Sequence, residues 1–180
     1  HPLPARMQRL WNQVRHIVQG GFPYSEGLYE DITKTIVTQF YWDRDRSAQE
    51  TLREYIAYEF SPAVTEDVLT LIDILETTAG NGYTHQPVNT DAVRRARRLA
   101  ESVDARLPDW ARRNWRWEIL RLRTILDDER WTGSGCSTPD AQAAMERIAA
   151  IYRCPIETDD PYHHRVRPPL KRAVSRCDEC

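Results

Sequence analysis

The sequence lacks any long apolar run, and no window of its 180 residues approaches the roughly 18 to 20 apolar residues that a membrane-spanning helix needs. It also lacks a basic excess, because the net charge is −2 although nearly all of the basic residues are arginine. A nucleic-acid-binding domain would present a surplus of positive charge on one face. These absences predict a soluble protein that binds neither membrane nor nucleic acid, with its arginines in ion pairs or on solvated helix faces.

Several catalytic signatures are missing as well. The chain contains no Ser-His-Asp order, no phosphate-cradling glycine loop and no His-Glu-x-x-His motif. Asp and Glu are plentiful, but their spacing does not select the acid and nucleophile of a glycosidase, which must face each other across a cleft. We therefore expect no autonomous hydrolase of these kinds and no cofactor.

The chain does not begin with methionine, and no charged segment followed by an apolar stretch opens it. We read it as a domain of a longer protein. The compartment is not assigned by the sequence, although export of the parent protein would place the chain in the periplasm or outside the cell.

What the sequence has is helical periodicity. Apolar residues recur at spacings of three and four, and no stretch alternates with the period of two that marks a β-strand. This predicts an all-α fold, a single bundle of about seven helices over residues 1–154. Residues 155–180 contain Pro155, Pro161, Pro168 and Pro169, which predict an irregular, extended C-terminal tail.

Local signals place the helix ends. The first helix is expected over residues 4–18, and Ser47 to Glu50 reads as a capping box that opens a helix through residue 60. Another helix is expected to end near Thr78, with a turn-rich connector at 79–89. Residues 110–130 read as one long helix.

The stretch GGFPYSEGLYEDITK, residues 20–34, carries the candidate binding residues. Its glycines and proline predict a break between two helices, and Ser25 is the expected cap of the second. On that helix Asp31 and Lys34 lie opposite the apolar arc, with Trp42 further along. The candidate binding or interface residues are Tyr24, Ser25, Glu26, Asp31, Lys34 and Trp42.

Three interpretations of these residues remain open. They form a solvated helix start, they face a neighbouring domain or a polar ligand such as a carbohydrate, or they take part in catalysis. Aromatic faces beside carboxylates suit the rings and hydroxyls of sugars, so a carbohydrate is the polar ligand that we consider.

Cysteines are few and lie late in the chain. Cys177 and Cys180 have the spacing of a ligand pair, and Cys154, His163 and His164 would complete a zinc site. A disulfide and free thiols are the alternatives for the four cysteines, which also include Cys136.

The runs PYSEGLYEDITKTIVTQFYW, LREYIAYEFSP and EDVLTLIDILE resemble the helical region that follows the catalytic barrel in bacterial glycosidase-like proteins related to α-glucuronidases and hexosaminidases. The likeness covers about residues 20–76. The residues that carry it are Tyr24, Ser25, Glu26, Gly27, Asp31, Lys34, Tyr55 and Phe60.

This resemblance implies an accessory, non-catalytic helical domain of a carbohydrate-active protein, one that packs on the barrel or forms a domain or dimer contact. The catalytic carboxylates would lie outside this chain. The alternatives are a general helical protein-interaction domain that uses its arginine-rich faces and tail, and a small zinc-stabilised protein.

Overall fold

The computed structural model describes residues 2–24, 30–84, 87–133 and 138–152. These residues form eight α-helices and a short 3-10 helix at Pro62–Val64, and none of them lies in a strand. The helices are α1 (Pro4–Val14), α2 (Asp31–Trp42), α3 (Ala48–Glu59), α4 (Thr65–Thr84), α5 (Thr90–Arg106), α6 (Asp109–Arg112), α7 (Trp115–Thr132) and α8 (Pro139–Tyr152). The predicted all-α fold is confirmed, with seven longer helices and the single-turn α6. The tail at 155–180 lies outside the described residues.

Side-chain caps fix several helix starts. The predicted capping box of α3 is present, since the Ser47 hydroxyl accepts from the Glu50 amide and the Glu50 carboxylate accepts from the Ser47 amide. Asn89 caps α5 through the amide of Ala92. Thr138 accepts from the amide of Ala141 at the start of α8. These short signals were readable because a cap depends only on neighbouring residues.

Two predicted helix ends were wrong. Helix α1 ends at Val14 and the chain turns over 15–17, so it stops short of residue 18. Helix α4 continues to Thr84, six residues past the predicted end. Thr78 and Ala79 are buried on the same face as Leu75, so tertiary packing outweighs the turn propensity of the residues that follow.

The predicted helix over 110–130 is broken in two. Helix α6 ends at Arg112, and α7 begins at Trp115 after Asn114 has capped it through the amide of Arg116. The Asn114 side-chain amide also donates to the backbone oxygen of Glu59 on α3, at 3.2 Å. This contact ties the break to a distant helix, and the apolar spacing gave no sign of it.

The core is built from α1 to α5 with the first half of α7. Helix α5 packs between α4 and α7, and α8 packs on the outer side of α7. Trp117 is fully buried at the centre, edge-on to Phe60, and its indole nitrogen donates to Asp104 at 2.8 Å. A second, smaller apolar cluster joins α7 to α8 through Leu122, Ala144 and Ile148. Helix α7 therefore contributes buried side chains to both apolar clusters.

Arginines form ion pairs, one of the two outcomes that the charge pattern predicted, and several of these pairs join the outer helices. Arg97 on α5 donates to Asp128 at 3.0 Å and Glu129 at 3.1 Å on α7, and to Asp140 at 3.1 Å on α8. Arg147 of α8 pairs with Glu118 of α7 through two contacts. The arginine-rich faces are therefore largely matched by carboxylates of the same chain.

None of the helices in the described ranges combines the length and the apolar character that crossing a lipid bilayer requires.

Candidate functional site

Asp31 lies at the first turn of α2 and points into the bundle. Its Oδ2 accepts a hydrogen bond from the Tyr55 hydroxyl at 2.5 Å and another from Arg116 Nε at 2.8 Å. Arg116 Nε also lies 3.8 Å from the Glu59 carboxylate. Asp31 was expected on a polar stripe away from the core, but these contacts join α2 to α3 and α7.

The hydroxyl of Tyr55 is held in its protonated form. Burial, together with the hydrogen bond donated to the Asp31 carboxylate, raises the pKa of Tyr55 well above its ordinary value. Tyr55 is therefore a fixed hydrogen-bond donor that does not ionise near neutral pH. We name Asp31, Tyr55, Glu59 and Arg116 the interhelix network, and its geometry suits helix positioning.

The remaining predicted residues lie elsewhere. Trp42 closes α2, a helix of 12 residues that spans roughly 16 Å, so Trp42 and Asp31 occupy opposite ends. Lys34 is half-buried, and Tyr24 is exposed in the segment that precedes α2. Ser25 and Glu26 lie outside the described residues. The structure thus places Asp31 and Trp42 at opposite ends of α2, where Asp31 contacts other helices and Trp42 is exposed.

The C-terminal end of α2 is built on stacked rings. Trp11 of α1 stacks on Phe40 with ring centroids 5.2 Å apart and planes 2° from parallel, and it meets the edge of Tyr41 at 5.7 Å. The Trp11 indole nitrogen donates to the backbone oxygen of Arg44 at 3.0 Å. These contacts hold α1 against α2 and fix the Phe40 and Tyr41 rings, which immediately precede Trp42 in the chain.

The segment after α1 is held against the same end. Arg44 Nη2 donates to the backbone oxygens of Arg15 at 2.8 Å and Val18 at 3.0 Å. Gly21 lies so close to the Tyr41 ring that a Cβ there would come within 2.5 Å of Cζ. The chain at 15–21 therefore follows the end of α2 as far as the Tyr41 ring.

These contacts form a groove at the C-terminal end of α2, and Trp42 is the exposed aromatic residue in its lining. The groove has a volume of about 370 Å³ and is lined by Trp11, Val18, Gln19, Phe40, Tyr41, Trp42 and Arg44. Phe22 is 94% exposed, Trp42 88% and Tyr24 79%. We call Phe22, Tyr24 and Trp42 the aromatic surface. Sequence reasoning found Tyr24 and Trp42 but missed Phe22, whose position beside Gly21 was the available signal.

A second depression lies between α2, α3, α7 and α8. This cleft has a volume of about 180 Å³, and the Asp31, Tyr55 and Arg116 side chains form part of its wall. Arg123 lines it one turn from Ile119 and Leu120. Sequence reasoning did not place Arg116 or Arg123 in a site, because their cleft depends on the packing of four helices.

Within the part of the chain that the structure describes, no group of three His, Cys, Asp or Glu side chains is placed so that it could hold a metal ion. The zinc candidates Cys154, His163, His164, Cys177 and Cys180 all lie beyond residue 152, outside the described residues.

Comparison with known proteins gives no relative: no protein-family model, curated protein or solved structure matches this chain.

Proposed function

We propose that this chain is a non-catalytic helical module of a multidomain carbohydrate-active protein, and that it contacts a neighbouring domain through the aromatic surface. The exposure of three large aromatic side chains, Phe22, Tyr24 and Trp42, is the observation that carries the proposal. The resemblance of residues 20–76 to glycosidase-associated helical regions supplies the class of the parent protein.

Exposed aromatic rings favour a covered state. Removing one large apolar side chain from water contributes roughly 2 kcal/mol, and Trp and Tyr are the residues most enriched among the energetic centres of protein interfaces. Trp42 lies on an ordered base, because Trp11 stacks on Phe40 and meets the edge of Tyr41 in the groove that Trp42 lines. A rigid base lowers the entropy that binding costs.

The polar groups beside the rings fit the proposed context. Gln19 and Arg44 line the same groove as Trp42, so aromatic faces stand next to hydrogen-bonding groups. Such a surface matches the rim of a sugar-binding domain, and it suits sugar rings and hydroxyls as well. The experiment must therefore distinguish a bound glycan from a neighbouring protein domain.

The interhelix network supports a non-catalytic role. The Asp31 carboxylate already accepts from Tyr55 and Arg116, and Tyr55 stays protonated. A general acid or base needs a pKa near the working pH and access to a substrate proton. These groups instead hold α2 against α3 and α7.

The arginine-rich faces give only weak support to the alternative function, that of a general protein-interaction domain. Arg112 donates to the backbone oxygens of Asp104 and Leu107 and lies near the Asp109 carboxylate. A charge that is already matched within the chain offers little to a partner.

The test is photo-crosslinking in the complete product of the gene. A photoreactive benzoylphenylalanine replaces Trp42 in one sample and Tyr58 in a control, because Tyr58 is also exposed, at 82%, but lies near the opposite end of the α2–α3 pair, one residue from Glu59. The proposal predicts that position 42, and not position 58, links to a carbohydrate-active domain of the same polypeptide. A mass addition that matches a glycan, a link only to an unrelated protein, or no link from position 42 would contradict it.

A further inference from the structure

Helix α8 is attached to the bundle through few apolar side chains. It buries Ala141, Ala144 and Ile148, two of which are alanines with a single methyl group each. Ala144 and Ile148 pack with Leu122 of α7 in a cluster that is separate from the main core. The core-facing side of α4, by contrast, buries large aliphatic side chains, namely Val68, Leu71, Ile72 and Leu75. Because stabilisation by burial scales with the apolar area removed from water, α8 is held more weakly than α4.

Two ion pairs also join α8 to the bundle. Asp140, in its first turn, accepts from Arg97 of α5 at 3.1 Å, and Arg147 donates to Glu118 of α7 at 2.5 and 2.7 Å. The Asp140 side chain is 66% exposed and that of Arg147 55%. Salt screens pairs at this exposure, so they stabilise the docked helix only modestly and in a salt-dependent way.

Release of α8 would leave its charged partners satisfied. Arg97 also donates to Asp128 and Glu129 of α7, so it keeps two carboxylates when α8 leaves. Glu118 would gain water where α8 had covered it. The Thr138 hydroxyl caps α8 itself, and this contact involves no other helix. Undocking therefore strands no buried charge, which would otherwise be a large cost.

Helix α8 covers an apolar stripe on α7. Ile119, Leu122 and Leu126 recur at spacings of three and four, so they lie along one side of the helix. Leu122 and Leu126 belong to the cluster that α8 completes. Ile119 lines the cleft between α2, α3, α7 and α8, and Ile148 of α8 forms part of the same wall. Removal of α8 would expose this stripe and open the cleft on one side.

We infer that α8 is a lid, which undocks from α7 as a unit while the rest of the bundle stays folded and so controls access to the cleft and the apolar stripe. Helix α7 does not depend on α8, because Trp117 and Leu120 on its other side belong to the main core. Opening is favoured by salt, since salt weakens the two ion pairs. This lid is separate from the aromatic surface and does not rest on the proposed domain contact.

Amide hydrogen exchange of the ¹⁵N-labelled full chain tests this. A detached helix of 14 residues is marginal in water, so its amides exchange once it undocks. Relative to their intrinsic rates, the central α8 amides of Ala144 and Ile148 should exchange at least about 100-fold faster than those of Leu71 and Ile72 in α4. Their exchange should depend only weakly on urea, because undocking exposes little surface. The amide of Leu120 in α7 should stay as protected as those of α4.

Two variants that each remove one carboxylate locate the attachment. Glu118→Gln takes away the partner of Arg147 and should speed α8 exchange, relative to α4, by about threefold or more. Glu66→Gln breaks the pair with Arg53 of α3 and should leave α8 exchange unchanged. Added NaCl should speed α8 exchange in the parent chain and have a smaller effect in Glu118→Gln.

The lid is ruled out if the central α8 amides exchange as slowly as those of α4 with the same urea dependence, because α8 would then open only when the whole chain unfolds. It is also ruled out if folded Glu118→Gln leaves α8 exchange unchanged relative to α4. If that variant does not fold, the exchange of the parent chain and its urea dependence decide between the two outcomes.

Discussion

Arg116 Nε lies 2.8 Å from Asp31 Oδ2, although the two residues are 85 positions apart in the chain. This contact joins the first turn of α2 to the first turn of α7 and draws Asp31 away from solvent. It explains why an acidic residue predicted to lie on an exposed stripe instead helps to position three helices.

A double-mutant cycle measures this pair. We expect Asp31→Asn, Arg116→Gln and the double variant to give a coupling energy of about 1 kcal/mol or more, because both side chains are about three-quarters buried and the bond is charge-assisted. Urea unfolding supplies the free energies. Arg15 and Asp45 form the control pair, at 3.3 Å but much more exposed, and should couple by under about 0.5 kcal/mol. Equal coupling in the two cycles would remove the special role of the Asp31 contact.

Removing the Tyr55 hydroxyl tests the second hydrogen bond to Asp31. Tyr55→Phe keeps the buried ring and deletes only the donor, so we expect the free energy of unfolding to fall by about 1–2 kcal/mol. Tyr58→Phe is the matched control on the same helix, because its side chain is exposed, and should change stability by under about 0.5 kcal/mol. A Tyr55→Phe variant as stable as the parent would show that the bond contributes no net stability.

The buried carboxylate of Asp127 predicts a pH dependence. Only 3% of Asp127 is exposed, and burial raises its pKa although Arg123 opposes the shift. With the folded pKa above the unfolded one, the stabilising effect of protonation is complete below the unfolded value, roughly 4, and is lost as pH rises through the folded pKa.

Asp127→Asn, which is uncharged at every pH, should therefore be at least as stable as the parent at pH 7. Its advantage should shrink as pH falls toward 4. Urea unfolding at several pH values measures this difference, and Asp45→Asn controls for the loss of one negative charge at an exposed position. A variant less stable than the parent at pH 7, with a gap that widens as pH rises, would mean that the ion pair with Arg123 outweighs burial.

Adjacent glycines provide a test of the chain that leads to the aromatic surface. A Cβ at Gly21 would come within 2.5 Å of the Tyr41 ring, whereas a Cβ at Gly20 would meet no atom within 4 Å. We expect Gly21→Ala to lower the free energy of unfolding by about 1 kcal/mol. Gly20→Ala should leave it unchanged or raise it slightly, because alanine restricts the unfolded chain. Thermal unfolding of both variants measures these changes in stability. Equal changes for the two variants would mean that Gly21 does not lie against the Tyr41 ring.

The sequence predicts those features of the fold that neighbouring residues determine. The capping box at Ser47 is found as expected, and so is the apolar face of α2, which buries Ile32, Ile36 and Phe40, because a cap and a helical face are determined within a few residues. The end of α4 was missed because burial of Thr78 and Ala79 depends on other helices.

The residues of the candidate site differ in the same way: some features follow from neighbouring residues, and others depend on distant parts of the chain. Exposure of Tyr24 and Trp42 agrees with their place on a loop and at a helix end. The direction of Asp31 was not accessible to periodicity, since Tyr55 and Arg116 approach it from distant parts of the chain. The cleft around Arg123 likewise requires four helices to be placed before it exists.

The most direct measurement of the central claim is hydroxyl-radical footprinting of the isolated chain and of the complete gene product. The account predicts that Phe22, Tyr24 and Trp42 are oxidised readily in the isolated chain and are protected severalfold in the complete product. Tyr58 should be oxidised equally in both. Oxidation of Trp42 at the same rate in the two samples would contradict the proposal that the aromatic surface contacts a neighbouring domain.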